Sequence, residues 1–361
     1  MNDSIAPPPS EPAQPQQPAQ QARPLTHTRT TAGHWVAIII LLLALGASAL
    51  LNIGLLAVLA GSTLAGMEGG ERNKFTEETV HGRGGDKVVQ LNASGIITFS
   101  ASSGLFFEQQ GLADRLMDEI KEAEKDSRVL GILLVVDSPG GGVTASDILY
   151  DRLVKFKTAK GRNRKIVVLM RDLAASGGYY ISMAGDKVIA HRTTITGSIG
   201  VILSTLNLKA LGDKIGIKGV TIASGENKDM LNPLRDIDPE DTNILQTAIN
   251  DLYDRFVSVV SRSRGLDAAR VRTLADGRIY TANQALEAGL IDEIGYEEDA
   301  RETLKTVLGT EDFKIVRYRR VRTFMDILNA RLDVLGRLPY PLNQANGSPQ
   351  FMYLWQPAFT R

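Results

Sequence analysis

Hydrophobic positions along the chain fall into three regimes. Between Trp35 and Met67 there is no charged residue, and residues 36–60 are almost wholly aliphatic. At about 1.5 Å per residue, such a helix covers about 37 Å, enough to cross a hydrocarbon layer of about 30 Å with some tilt. A helix this long without a polar face does not suit a soluble core, so the run predicts a transmembrane anchor over residues 35–61. Ala47-Ser48-Ala49 resembles a signal-peptide cleavage site, but the apolar run continues past it and begins late in the chain. Those two features favour an uncleaved anchor. Residues 62–86 are then charged, glycine-rich and unperiodic, the pattern of a linker.

From residue 87 to 316 the pattern changes again, to short apolar runs alternating with stretches of helical period. Residues 88–91, 96–98, 129–137, 165–170, 187–190 and 220–223 read as strands. The run 129–137 (VLGILLVVD) has the continuous apolar character of a strand covered on both faces. Leu112, Leu116 and Ile120 share one helical face, as do Leu149, Leu153 and Phe156. A long helix is expected over about 239–264, with Asp238 as its N-cap and Pro239 at its first position. Strands alternating with helices imply right-handed crossovers and a mostly parallel sheet. The predicted class is α/β.

Composition removes several kinds of chemistry. Lys+Arg and Asp+Glu both total 41, so the basic excess typical of nucleic-acid binding is missing. The chain has no cysteine, which excludes disulfides, thiolate metal sites and a cysteine nucleophile. No metal or cofactor is expected. Seven of the 14 prolines lie in the first 24 residues among glutamines, so residues 1–34 read as a disordered tail. Lys314, Arg317, Arg319, Arg320, Arg322, Arg331 and Arg337 make the 317–361 segment and its approach basic. Phe324, Leu328, Leu332 and Leu335 there share a helical face, suited to packing on a protomer or to anionic lipid. Residues 351–355 (FMYLW) have the character of a docked strand.

Two glycine-rich turns follow apolar runs. Asp137-Ser138-Pro139-Gly140-Gly141-Gly142 leads into a helix, where backbone N–H groups can hold a phosphate or an oxyanion. Ala174-Ala175-Ser176-Gly177-Gly178 places a serine at a strand-to-helix turn, the geometry of a nucleophile elbow. A serine nucleophile needs a base. Of the four histidines, His27, His34 and His81 precede the folded region, leaving His191 or a lysine stripped of water.

Five motifs stand in order: Ser-Pro-Gly-Gly-Gly (138–142), Ala-Ala-Ser-Gly-Gly-Tyr-Tyr (174–180), Thr-Gly-Ser-Ile-Gly-Val (196–201), Ser-Gly-Glu-Asn-Lys-Asp-Met (224–230) and Asp-Gly-Arg-Ile-Tyr-Thr-Ala-Asn-Gln-Ala (276–285). Together they resemble the signal peptide peptidase SppA (protease IV) family, on the ClpP/crotonase fold of repeated ββα units. The resemblance implies a serine–lysine dyad with Ser176 as nucleophile and Lys228 as general base. It implies an oxyanion hole at Gly140, Gly141 and Gly177, and Ser198 as the hydroxyl that orients the lysine. It implies peptide substrates left in the lipid bilayer after signal cleavage, a homo-oligomer with sites near its interfaces, and a protease domain outside the cytoplasm. Basic residues flanking the span do not decide orientation by themselves. Asp229 would hold Lys228 charged if it touched it, so its carboxylate is expected to point elsewhere. Other readings are a related serine–lysine protease, an inactive oligomeric scaffold and an acyl-CoA enzyme of the same fold.

Overall fold

The computed structural model describes residues 32–64, 75–99, 101–102, 108–321 and 351–355. The chain divides into two units, Met1–Arg72 and Asn73–Arg361. In the first, α1 (Ala32–Leu64) carries the 21-residue stretch His34–Gly54 with a mean hydropathy of 2.6 and none of it buried. By length and composition it can cross a membrane. Its polar Asn52 bonds back to the Ser48 carbonyl at 2.7 Å, which keeps the amide satisfied within the helix.

The second unit is a mixed α/β fold on a nine-stranded sheet. The chain enters through β1 (Phe75–His81) and β2 (Asp86–Ser94), then a small hairpin of β3 (Ala101–Ser102) and β4 (Glu108–Gln109). Next come α2 (Leu112–Lys125), β5 (Val129–Ser138), β6 (Gly140–Gly142), α3 (Val143–Thr158) and β7 (Lys165–Ala175). They are followed by α4 (Gly177–Ser182), β8 (Lys187–Ala190), β9 (Ile195–Gly197) and α5 (Lys209–Ile215). The rest comprises α6 (Pro239–Arg264), α7 (Ala268–Leu274), β10 (Ile279–Thr281), α8 (Ala282–Glu287), β11 (Glu293–Ile294), α9 (Glu297–Leu308), β12 (Phe313–Arg320) and β13 (Met352–Leu354).

The main sheet runs β1-β12-β2-β5-β7-β8-β11, with β9 beside the end of β7 and β10 beside β9. All of its pairings are parallel except β1 with β12 and β9 with β10. The continuous apolar run of β5 has the cause anticipated. Ile132, Leu134 and Val136 enter the larger core with α2, α3 and α4, while Leu133 and Val135 meet Ala300 and Leu304 of α9. Asp238 caps α6 by accepting from the Glu240 amide at 2.8 Å, with Pro239 in the first turn.

Three expectations change. Residues 75–81, read as linker, form an edge strand, paired to β12 and closed by an Arg319–Glu78 ion pair at 2.6 Å. Their alternation is masked in the sequence because this edge strand buries little on either face. Residues 220–223 form no strand: Ile222 is 98% exposed and has no sheet edge to join. Of residues 96–98, only Ile97 bridges, to Gly141. The tail before residue 32 and the 324–335 helical face lie outside the described residues.

Candidate active site

Ser176 stands between β7 and α4, where the parallel sheet ends and a helix begins. Its backbone adopts φ 54° and ψ −115°, a left-handed conformation costly for a non-glycine residue. Two backbone bonds hold it there: its N–H donates to the Gly197 carbonyl at 2.7 Å, and its carbonyl accepts from the Tyr180 N–H at 2.8 Å. The residue is 1% exposed in the single chain. The elbow places Ser176 immediately ahead of the N-terminus of α4.

The glycine turn after β5 is fastened beside it. Ser138 Oγ donates to the Gly95 carbonyl at 2.6 Å and accepts from the Gly140 N–H at 3.1 Å. Ile97 N–H donates to the Gly140 carbonyl at 2.8 Å, and Gly142 N–H to the Ile97 carbonyl at 2.9 Å. A Cβ on Gly177 would come within 3.0 Å of the Gly141 nitrogen and 2.6 Å of Ser146 Oγ, so the two turns meet with no room for a side chain. Gly140 has φ +101°, accessible at low cost only to glycine. The Gly140 N–H donates to Ser138 Oγ, Gly141 lies opposite Tyr353 in the antiparallel β6–β13 pair, and Gly177 opens α4 beside them.

The remaining candidates lie on other elements. Ser198, with φ 50°, follows β9 and is fixed by its N–H to the Arg278 carbonyl at 2.8 Å. Lys228 lies in a short 3-10 turn, Glu226–Asp229, and is exposed. Among the described residues no hydrogen bond joins Lys228 Nζ to Ser176 or to Ser198. The Asp229 carboxylate accepts from Thr221 Oγ1 at 3.2 Å and Asn232 Nδ2 at 3.1 Å, and makes no ion pair with Lys228. His191 follows β8 with its ring 5.1 Å from that of Tyr296, and its Nε2 has no partner among the described residues. No cluster of ligating side chains capable of holding a metal ion occurs among them either.

Sequence reasoning passed over a polar triangle next to the elbow. Tyr180 donates its hydroxyl to Asp147, which also accepts from Arg255 Nε at 3.1 Å and Nη2 at 2.9 Å. Burial, helped by that carboxylate, pushes the Tyr180 hydroxyl far above its ordinary value, so it remains a donor. The only local signal was the Tyr-Tyr pair after Ser-Gly-Gly; its partners stand on α3 and α6.

An elbow serine against two glycine amides, on a mostly parallel α/β sheet, defines a serine peptidase of ClpP-like architecture. The Clp protease family matches residues 88–206, and Peptidase family S49 matches residues 158–310. A protein of Enterococcus faecium bearing the name signal peptide peptidase SppA is 40% identical over 252 residues, 70% of this chain and 72% of that one. A protease of Methanocaldococcus jannaschii is 35% identical over 237 residues, 65% of this chain and 75% of its own. Protease 4 of Haemophilus influenzae is 33% identical over 217 residues, 60% of this chain and 34% of the longer relative. The chain belongs to peptidase family S49, with the SppA and protease 4 enzymes.

Proposed function

We propose that this serine protease is a membrane-anchored endopeptidase that uses Ser176 and Lys228 to degrade extended apolar segments, cleaved signal peptides among them. The observation that carries the reading is the strained Ser176 elbow with the Gly141 and Gly177 amides beside it. Ser176 Oγ attacks the scissile carbonyl carbon and passes its proton to the neutral Lys228 amine. The oxyanion is held by the two glycine N–H groups, and the protonated lysine then gives its proton to the leaving amine. Water repeats the sequence on the acyl-enzyme and frees the second product. Ser198 orients the lysine.

Lysine acts as a base only as the free amine, a form that burial favours. In a single chain Lys228 is exposed and unpaired with the serine, so a covering surface is needed. Leu206, Leu211, Ile215, Val220 and Ile222, on the same stretch of chain, are exposed large apolar residues. An uncovered apolar arm of this kind suits a neighbouring copy in a homo-oligomer, with the lysine serving the neighbour's serine. The apolar helix α1 supports anchoring beside membrane-bound substrates, the protease unit facing away from the cytoplasm.

The test is a serine-reactive fluorophosphonate together with a quenched-fluorescence apolar peptide. Labelling at Ser176, and loss of cleavage by at least about a thousandfold in Ser176→Ala, are expected. Cleavage undiminished in Ser176→Ala refutes the nucleophile; a wild-type protein that neither labels nor cleaves favours a scaffold.

A further inference from the structure

The turn that carries Lys228 is closed by its own neighbours. Lys228 N–H donates to the Gly225 carbonyl at 3.1 Å, and Asn232 N–H donates to the Asp229 carbonyl at 3.2 Å. Just before Asn232, Leu231 takes φ 64°, a left-handed conformation costly for a residue with a side chain. Such a turn is imposed by the bonds around it, and Asn232 makes most of them. Its Oδ1 accepts from the Leu234 N–H at 2.9 Å, and its carbonyl from the Arg235 N–H at 3.3 Å. Its Nδ2 donates to both Asp229 carboxylate oxygens at 3.1 Å and to Thr221 Oγ1 at 3.2 Å. Thr221 Oγ1 donates in turn to Asp229 Oδ1 at 3.2 Å. Thr221, Asp229 and Asn232 therefore form a closed triangle of polar side chains.

The triangle is tied to the elements on either side of it. Leu208 N–H donates to the Pro233 carbonyl at 2.7 Å, and Asn207 Nδ2 to the Arg235 carbonyl at 2.8 Å. The Arg235 guanidinium pairs with Asp241 in the first turn of α6.

This arrangement answers an electrostatic problem. Asp229 is the residue next to Lys228, and a carboxylate within about 4–6 Å of an amine favours the protonated form. The flexible four-carbon stem of a lysine brings its amine within that range of an unheld neighbour. A protonated amine cannot take the proton from Ser176. The donors of Thr221 and Asn232 satisfy the carboxylate in another direction. The remaining charges on the adjoining elements are engaged or exposed. Lys209 pairs with Asp213 at 2.8 Å and Asp236 at 3.8 Å, and Asp238 caps α6. Lys214, Lys218 and Glu226 are exposed.

We propose that Thr221 and Asn232 are positioning residues for the reaction: they hold the Asp229 carboxylate away from Lys228 and so keep the amine available as a free base. The inference rests on Lys228 being the base.

The experiment records kcat/KM against pH for a quenched-fluorescence apolar peptide, with the full chain in detergent. Asn232→Ala releases the carboxylate, so the acid limb of the profile should move up by about one pH unit. That is a loss of about tenfold below the midpoint, with the alkaline plateau kept. Thr221→Val removes one donor at an exposed position and should move the limb the same way by less, which keeps the test open should Asn232→Ala fail to fold. Asn232→Ala combined with Asp229→Asn should return the limb to the wild-type pH, because the released group no longer carries charge. A merely structural loss would lower the whole profile and gain nothing from the second substitution; that result overturns the proposal. So does a limb that stays at the wild-type pH in both single variants while Lys228→Ala is inactive, which leaves the base standing. Lys228→Ala with the wild-type profile overturns the base and the proposal together.

Discussion

The Ser176 amide donates to the Gly197 carbonyl at 2.7 Å, which ties the elbow to the strand that opens the Thr-Gly-Ser motif. Gly197 sits at φ +80°, and a Cβ there would lie 2.5 Å from the Tyr280 ring. The elbow is thus positioned by a strand edge and a neighbouring aromatic, and only through them by the local sequence.

Gly197→Ala is therefore expected to strain this strand and shift Ser176. Stability should fall by about 1–3 kcal/mol, with a loss of kcat of at least about tenfold. Thermal melting and steady-state kinetics measure both; wild-type values in the two assays would show that the tie is unimportant.

Ser138→Ala removes the hydroxyl that bridges the Gly95 carbonyl and the Gly140 amide. Ser138 is fully buried, so the loss should destabilise by about 1–3 kcal/mol. Because this bridge fixes the turn that presents Gly141, kcat should drop more than KM rises. A pure KM effect would contradict the link to the oxyanion.

Mixing inactive variants tests which chain supplies the base. If Lys228 serves a neighbour's serine, co-assembled Ser176→Ala and Lys228→Ala proteins regain part of the wild-type rate, because some interfaces pair an intact serine with an intact lysine. Were each dyad formed within one chain, the mixture would stay as inactive as its parts.

Asp292 accepts from Arg264 Nη1 and the Val188 amide, both at 2.8 Å. Burial opposes its ionisation, but the bonds from Arg264 and Val188 outweigh it and hold the carboxyl below its ordinary value. A depressed folded value means stability that is present above the unfolded value, about 4, and lost as pH falls through the folded one. Asp292→Asn should cost about 2 kcal/mol at pH 7, and the gap to wild type should close below about pH 4. Denaturant melts at both pH values decide it; an unchanged gap in acid would show that the charge contributes nothing.

Much of the fold was legible because local pattern and final environment agree. β8 matched the apolar run 187–190, and α6 began at the proline after its aspartate cap, since both signals are short-range. β1 was not legible, because its partner β12 lies more than two hundred residues away and neither face is well buried. The run 220–223 misled in the opposite sense: apolar residues suggested a covered strand where the single chain offers no cover.

The sequence by itself determined the α/β class, the apolar helix, the elbow serine and the glycine turn beside it. It also narrowed the choice of base by lacking cysteine and carrying four histidines, of which His191 lies in the predicted fold; the structure adds His81, at the end of β1. Tertiary structure alone decided that the Gly140 amide is engaged and that Asp229 turns to Asn232. It alone laid Tyr353 over the Gly141 amide and set Tyr180 between Asp147 and Phe256. The reason is physical: strand and helix signals depend on neighbours within a few residues, whereas these contacts join segments tens to hundreds of residues apart, or depend on which of several equally capable partners packing brings within reach.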